Sequence, residues 1–272
     1  MTHDHMTDAL LPPALVDEMT ALVSQAGEAV MAARAGKLAV RQKADCSPVT
    51  IADEASHTLL TEGLARLLPK LPVVSEEAAT QPAIEEPVFA LVDPLDGTRE
   101  FIDGRDEFTI NLAIIRDGRP IFGIVSAPAL QLVWRGTLGR GAERLHLAPG
   151  AHPSKAKERH PLRVSSAQGE ALRVMVSRSH LDSRTRDWLA RHPSVELMSC
   201  GSAVKFCRIA EGNADVYPRL APTMEWDVAA GDAVLAAAGG AVRRPDGAPL
   251  VYGRGENEWR IPAFIAWNRA PA

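Results

Sequence analysis

The apolar run Val88–Val92 passes directly into Asp93-Pro94-Leu95-Asp96-Gly97-Thr98, and this junction constrains the fold more than any other feature of the chain. A short, continuous run of Val, Leu and Phe indicates a buried strand. Pro94 fixes one backbone torsion and Gly97 permits a sharp bend, so the two aspartates can point toward one place. Carboxylates gathered at the edge of a core are costly unless a cation binds there. Taken alone, the hexapeptide fits either an ordinary turn or a metal-binding loop.

The flanking sequence predicts a layered α/β fold. Apolar positions recur at helical spacing over residues 13–35, which indicates an amphipathic helix. Residues 108–138 contain three strand-like runs joined by turn sequences, and this favours an antiparallel meander over a Rossmann repeat. Strand-like and helix-like segments alternate from 172 to 238. We therefore expect an α+β layered sandwich with alternating helix and sheet layers in two lobes.

We expect the whole chain, residues 1–272, to form a single domain with two lobes. The N-terminal lobe, over about 10–150, would carry the metal-binding loop, and an α/β lobe would follow over about 162–272. Residues 148–161 are rich in Pro, His and Lys, and they predict an exposed connection between the lobes.

Composition narrows the possible partners. The formal net charge is −4, which argues against binding to a nucleic-acid polymer. No apolar stretch is long enough for an integral membrane segment, and the first residues lack the pattern of a signal peptide. The three cysteines form no zinc-type pair. We expect a cytoplasmic protein with reduced thiols, with peripheral membrane association left open and no particular oligomeric state favoured.

Acidic residues stand at the predicted ends of four separate elements: Asp53, Glu76, the Asp93/Asp96 pair and Asp227. Each has an ordinary explanation, because Asp53 could complete a capping box, Asp227 could complement a helix dipole, and Glu76 could be a solvated surface residue. Together they form an oxygen-only ligand set, which suits Mg²⁺ and could hold more than one ion for phosphoryl transfer. Thr98 could orient a water if Asp53 accepts its proton. Nucleotide-binding glycine motifs are absent from the sequence.

Four segments carry a family resemblance. They are Ser47-Pro48-Val49-Thr50-Ile51-Ala52-Asp53, Ser75-Glu76-Glu77, the Asp93–Thr98 hexapeptide and Trp226-Asp227-Val228-Ala229-Ala230-Gly231. In order and spacing they resemble the signature segments of the inositol monophosphatase superfamily. Asp96–Phe101, Ser177–His180 and Gly201–Cys207 resemble more closely its 3′(2′),5′-bisphosphate nucleotidase branch.

The resemblance implies the inositol-monophosphatase/sugar-phosphatase-like fold, two or three Mg²⁺ ions and a role for each motif residue. It assigns metal ligation to Glu76, Asp93, the Leu95 carbonyl, Asp96 and Asp227. It assigns water activation to Asp53 and Thr98, with Glu76 as a further catalytic residue. It assigns substrate contacts to Gly97, Thr98, Ser177, His180, Gly201, Ser202, Lys205, Arg219 and Asp227.

The implied activity is removal of the 3′-phosphate from adenosine 3′,5′-bisphosphate, a small-molecule nucleotide bisphosphate substrate, giving AMP and phosphate. Lithium sensitivity and a role in sulfur metabolism follow from the same resemblance. Two alternatives remain: an inositol or sugar-phosphate phosphatase with the same metals, and a non-catalytic protein that binds phosphorylated ligands. Without the resemblance, Lys205 would be taken as an exposed helix lysine and His180 as a loop histidine. Cys207 is expected to be a packing residue.

Overall fold

The computed structural model describes residues 10–36, 40–42, 48–81, 84–165, 169–178, 181–253 and 258–269. Cys46 and His180 lie outside these residues. The helices are α1 (Pro13–Ala35), α2 (Ile51–Leu67), α3 (Thr98–Ile102), α4 (Ser183–Leu189), α5 (Val204–Ala210) and α6 (Glu225–Ala237). Among the described residues, none of the helices combines the length and the apolar character needed to span a bilayer.

The first sheet has seven strands in the order in which they occur in the chain. They are β3 (Val73–Ser75), β4 (Val88–Asp96), β5 (Thr109–Arg116), β6 (Arg119–Ala127), β7 (Leu132–Thr137), β8 (Gly141–His146) and β9 (Glu158–Leu162). Neighbouring strands are antiparallel except for the parallel pair β3 and β4. The predicted meander is therefore present, with strands added on both sides.

Strand β4 is buried on both faces, which explains its uninterrupted apolar sequence. Ala90 and Val92 pack with the α1 and α2 side, whereas Phe89 and Leu91 pack toward α5 and α6. The sequence suggested that β4 ends at Asp93, but the strand is longer. It continues to Asp96, with a shift in its pairing register against β5 between the two aspartates. This register shift produces the bend that was expected from Pro94 and Gly97.

The second sheet has the order β11, β10, β12, β16, β14. Its strands are β10 (Leu172–Ser177), β11 (Val195–Cys200), β12 (Val216–Arg219), β14 (Ala241–Arg243) and β16 (Phe264–Trp267). Two small sheets complete the described strands: β1 (Val40–Gln42) with β2 (Pro48–Thr50), and β13 (Thr223–Met224) with β15 (Arg260–Ile261). Helices α5 and α6 lie between the two large sheets, and α4 packs against the outer face of the second. The predicted layered α/β sandwich is confirmed.

Glycines let α6 lie directly on the first sheet. A Cβ atom at Gly123 in β6 would overlap the carbonyl oxygen of Ala230, and one at Gly136 in β7 would lie 2.9 Å from the Cα of Val234. Only a residue without a side chain permits this approach. The N-terminal end of α6 is thereby fixed beside β4, and this end carries Asp227.

The segment 148–161 differs from its prediction. It is largely exposed, as expected, but residues from Glu158 onward form the edge strand β9, which pairs with β8. Strand β8 and the short strands β13 to β16 were also missing from the sequence-based assignment. Strands β13 to β16 have two to four residues and pair with partners distant in sequence, so local periodicity gives little signal. Strand β8 follows β7 across a short turn, but its sequence has no apolar run.

Candidate active site

Three carboxylates from distant segments meet at one point. Glu76 follows β3, Asp93 lies in β4, and Asp227 lies in the first turn of α6. One carboxylate oxygen from each lies within 4.8 Å of those of the other two. The parallel pairing of β3 with β4 places Glu76 beside Asp93, because the Glu76 amide donates to the carbonyl of Val92 at 3.1 Å. The interpretation of Glu76 as a solvated surface residue does not fit the structure, because this residue is half-buried.

Asp93 gives the strongest indication of a cation-binding site. Asp93 is 1% exposed, and its Oδ1 accepts a hydrogen bond from the Leu95 amide at 3.0 Å. Oδ2 is buried without a hydrogen-bond partner among the described residues. Burial, followed by the charges of Glu76, Asp96 and Asp227, raises the pKa of this carboxyl well above its ordinary value. A buried carboxylate oxygen facing other carboxylates fits a divalent cation.

Asp96 and Leu95 extend the cluster into the cavity. Burial and the charge of Asp227 raise the Asp96 pKa to about 6, although Lys205 and Arg219 act in the opposite direction. The Leu95 carbonyl accepts a hydrogen bond from Thr98 Oγ1 at 3.3 Å. Both residues line the same cavity as the three clustered carboxylates. Asp96 and Leu95 therefore belong to the lining that contains the acidic cluster.

Asp53 both caps a helix and reaches Thr98. Its Oδ2 accepts from the Thr50 amide at 2.7 Å and from the Thr50 hydroxyl at 2.6 Å, completing a capping box at the start of α2. Its Oδ1 accepts from Thr98 Oγ1 at 3.3 Å. The capping explanation is therefore correct without excluding the predicted dyad, because the two carboxylate oxygens have different partners.

Asp227 also combines a structural contact with a place in the cavity. Its Oδ2 accepts from the Met224 amide at 3.0 Å and from the Thr223 hydroxyl. These contacts fix the side chain at the start of α6, where the helix dipole favours a negative charge.

A cavity of about 290 Å³ adjoins the acidic cluster. Its lining contains the predicted substrate residues Gly97, Thr98, Ser177, Ser202, Lys205, Arg219 and Asp227. Gly201 precedes Ser202 but is not part of the lining. The lining residues come from β4, α3, β10, α5, β12, β13, α6 and β16 and from Glu76 after β3, so both large sheets contribute.

Lys205 is buried rather than exposed, which makes its interpretation as a surface lysine wrong. It is 3% exposed, and its Nζ donates to the Ser202 carbonyl at 2.6 Å and lies 5.1 Å from the centre of the Tyr217 ring. A buried ammonium group is retained only where it has such partners. Cys207 is fully buried among apolar side chains, as expected for a packing residue.

Arg219 is the second cation of the cavity. Its Nε is buried without a hydrogen-bond partner among the described residues. Burial alone would lower its pKa, but contacts with Tyr217 and the charges of Asp227 and Asp96 raise the pKa above its ordinary value. This guanidinium group therefore stays charged and has a donor that a bound anion could use.

Several lining residues were missed from the sequence. Glu100 is 6% exposed and lies in the Arg99–Phe101 segment. Tyr217 and Thr223 lie beside Arg219 and Asp227 in sequence, so proximity to a predicted site residue was an available signal. Whether Tyr217 and Thr223 face the cavity depends on the alternation of side chains along a strand and on helix capping, which the sequence shows only weakly.

This arrangement matches a known protein family. The model of the inositol monophosphatase family matches residues 14–260, and the chain belongs to that family. The family is metal-dependent, generally with Mg²⁺. An acidic cluster suited to a metal ion is therefore present in a protein of a metal-dependent class.

Relatives with a specific activity in their names are also similar over most of the chain. The 3′(2′),5′-bisphosphate nucleotidase CysQ of Escherichia coli K12 is 40% identical over 242 residues, covering 88% of this chain and 94% of the relative. The enzyme of the same name from Salmonella typhimurium is 38% identical over the same shares. The crystal structure of CysQ from Bacteroides thetaiotaomicron superposes with a TM-score of 0.78 at 33% identity, covering 93% of this chain and 96% of that one. An inositol monophosphatase from Anabaena, at 23% identity and a TM-score of 0.73, shares the fold.

Proposed function

We propose that this protein is a Mg²⁺-dependent phosphatase that hydrolyses the 3′-phosphate of adenosine 3′,5′-bisphosphate to AMP and phosphate. The observation that carries the proposal is the buried Asp93 Oδ2, which has no hydrogen-bond partner in the described part of the chain, in a cavity that also contains Lys205 and Arg219. The carboxylates of the cavity suit a cation, and its Lys205 and Arg219 side chains suit an anionic group. Similarity to the CysQ nucleotidases supports the choice of substrate.

The carboxylates fit Mg²⁺. Glu76, Asp93 and Asp227 would hold one ion, and Asp96 with the Leu95 carbonyl would complete sites for two or three ions in all. When bound, Mg²⁺ would lower the pKa of a water and neutralise charge on the phosphate. Five carboxylates and three cationic side chains line the cavity, so bound cations are also needed to favour an anionic substrate.

Thr98 and Asp53 are suited to proton transfer. Because Thr98 Oγ1 donates toward Asp53 Oδ1, its lone pairs are available to accept a proton from a water beside the phosphate. Two hydrogen bonds from Thr50 orient the Asp53 carboxylate. Asp53 is 1% exposed, so its carboxylate is shielded from bulk water. In this proposal, the oxygen of the attacking water bonds to phosphorus while its proton passes to Thr98 Oγ1 and the Thr98 proton moves to Asp53 Oδ1. The bond between phosphorus and the 3′-oxygen breaks, and the released 3′-oxygen takes a proton from solvent water.

The remaining lining would bind the rest of the substrate. Lys205 and Arg219 would contact the second phosphate, since charge-assisted hydrogen bonds favour a phosphate over a neutral group. Ser177 and Ser202, together with His180 and Gly201, would surround the nucleoside.

We also propose that the chain acts as one phosphatase domain with lobes over about 10–150 and 162–272. Helix α6 supports this, because it packs against β4 to β7 and supplies Asp227 to the site. A cytoplasmic location is supported by the buried thiols of Cys200 and Cys207, which form no disulfide.

Phosphate release tests the proposal. It should be measured with Mg²⁺ and with EDTA on adenosine 3′,5′-bisphosphate, inositol 1-phosphate, histidinol phosphate and fructose 1,6-bisphosphate. We expect Mg²⁺-dependent turnover with the highest kcat/KM for the nucleotide. Asp93→Asn should abolish the activity, whereas Asp187→Asn, an exposed acid on α4, should not change it. Equal or better turnover of a non-nucleotide ester would contradict the substrate, and inactivity on the whole panel would contradict the enzymatic function.

A further inference from the structure

Glu107 connects the two large sheets next to the cavity without lining it. It lies between α3 and β5, in the half of the chain that carries the first sheet. Its carboxylate accepts hydrogen bonds from Arg178, directly after β10, and from the Gly201 amide, directly after β11. Neither Glu107 nor Arg178 is among the cavity-lining residues. The pair therefore stands behind the wall that the proposed substrate would contact.

The segment that carries Glu107 is itself held in place by α1. Arg34 Nη1 donates to Asp106 Oδ1 at 2.8 Å, and Nη2 donates to the Arg105 carbonyl at 2.9 Å. The Arg34 guanidinium carbon also lies 5.2 Å from the centre of the Phe108 ring. Glu107 thus projects from a backbone that is fixed on both sides, so its carboxylate has little freedom to follow its partners.

The pairing of Glu107 with Arg178 uses both ends of the guanidinium group. Arg178 Nη1 forms an ion pair with Glu107 Oε2, and Nη2 lies 3.1 Å from Oε1. The Glu107 side chain is 26% exposed and the Arg178 side chain is 29% exposed, which limits the screening of this ion pair by solvent. Arg178 Nη2 also donates to the Ser199 carbonyl at 3.2 Å, and the Arg178 amide donates to the Cys200 carbonyl at 3.4 Å. The same pair therefore fixes the ends of β10 and β11.

The contact between Glu107 and Gly201 also affects residues that line the cavity. The Gly201 amide lies 3.1 Å from Glu107 Oε2, and a Cβ atom at position 201 would lie 2.5 Å from the Glu107 carbonyl oxygen. Ser202 follows with a positive φ of 48°. Its hydroxyl is 2.6 Å from the Thr109 hydroxyl, and its carbonyl accepts from Lys205 Nζ. The position of the lining residues Ser202 and Lys205 thus depends on a turn that Glu107 holds.

We propose that Glu107 and Arg178 are positioning residues that set the affinity of the cavity for the part of the substrate beyond the reacting phosphate. The inference rests on the proposed function, since it assigns the Gly201–Ser202 turn to substrate recognition. The Asp53–Thr98 pair and the acidic cluster are held by other contacts. Weakening the Glu107 pair therefore changes binding of a large substrate more than it changes the chemical step.

Steady-state kinetics of Glu107→Gln, Arg178→Gln and the double variant test this assignment. Gln keeps the shape at position 107 but loses the charge, so we expect KM for adenosine 3′,5′-bisphosphate to rise about 10-fold, the loss typical of a charge-assisted hydrogen bond. The values of kcat, and KM for p-nitrophenyl phosphate, should change less than about 2-fold. The double variant should be no worse than the more affected single variant, because the two residues act as one unit.

Asp215→Asn is the matched control. Asp215 pairs with Arg173 of β10 at 2.7 Å, with side chains 10% and 29% exposed, and does not line the cavity. Its loss should lower Tm without a selective rise in KM. If the position-107 and position-178 variants affect both substrates equally, or behave like Asp215→Asn, the positioning role is wrong.

Hydrogen exchange of the substrate-free protein gives a readout that does not depend on the activity. In Glu107→Ala, the Gly201 amide loses its acceptor and should exchange about 10-fold faster, while amides inside α6 should not change. Unchanged Gly201 exchange would overturn the proposal even if the nucleotide is the substrate. If the wild-type protein does not hydrolyse the nucleotide but Gly201 exchange increases, the proposed function fails and the positioning contact stands.

Discussion

Replacing Asp232 by Asn should change how the stability of this protein depends on pH. Asp232 lies in α6, is 8% exposed, and accepts a hydrogen bond from the Tyr252 hydroxyl at 2.8 Å. Burial raises its pKa from 3.8 to about 7, against the opposing effects of Tyr252 and Arg243. Glu225, in the same helix, also interacts with Tyr252, and its own pKa is raised by burial to about 7.

The sign follows from proton binding. Between pH 3.8 and about 7, the folded state keeps a proton on Asp232 that the unfolded chain releases. The free energy of unfolding therefore falls as pH rises through this interval, so the contribution is complete at low pH and lost above about pH 7. The gap between the two pKa values corresponds to about 4 kcal/mol, which is an upper bound.

Urea unfolding at pH 5, 6, 7 and 8, with saturating Mg²⁺, measures this effect. The amide introduced by Asp232→Asn would still accept the Tyr252 hydrogen bond but would carry no charge. We expect the stability of the variant relative to wild type to increase from pH 5 to pH 8, by as much as about 3 kcal/mol. The rest of the effect falls between pH 3.8 and pH 5. Glu225 keeps its own pH dependence in both proteins, and Asp187→Asn serves as an exposed control. A constant difference between wild type and variant across the pH range would refute the reasoning.

Three further substitutions test the site and its support. Thr98→Ala should lower kcat about 100-fold or more, because a proton-transfer partner is lost; isothermal titration with Mg²⁺ should show nearly unchanged binding, and a loss of Mg²⁺ binding would contradict the assignment. Lys205→Met should raise KM for adenosine 3′,5′-bisphosphate about 10-fold or more while barely changing KM for p-nitrophenyl phosphate, and equal effects on both substrates would give Lys205 a structural role. Gly123→Ala should destabilise the fold by about 1–3 kcal/mol in urea unfolding, because the new methyl group meets the Ala230 carbonyl. Gly36→Ala, where the nearest atom lies 3.5 Å away, should be close to neutral, and equal stability of the two glycine variants would contradict the packing argument.

Elements with strong local patterns were predictable from the sequence. The helix expected over residues 13–35 is α1, with the same bounds, and the three-strand meander is present as β5 to β7. The motif segments also identified the correct family. Their residue types and order were sufficient because each motif combines local backbone signals with side chains suited to one chemistry.

Pairing between distant segments was less predictable. The sequence placed 148–161 in a connection because its composition is polar, but the residues from Glu158 form an edge strand with β8. An exposed edge strand needs no apolar alternation on the side that faces water. Without the family resemblance, Lys205 would have been taken for a surface residue, because the partners that bury it come from the turn before α5 and from β12.

The junction of Val88–Val92 with Asp93–Thr98 was determined by the sequence as a buried strand that leads into a potential metal loop. The family resemblance grouped Glu76 and Asp227 with Asp93, and the tertiary structure showed how β3, β4 and α6 bring their carboxylates together. Only the tertiary structure decided that Asp53 can contact Thr98 while capping α2. It also decided that Glu107 is joined to Arg178 and Gly201 across two sheets. Local sequence sets the torsion angles and the burial of each segment. The approach of charged groups from distant segments depends on how sheets and helices pack, and that depends on the whole chain.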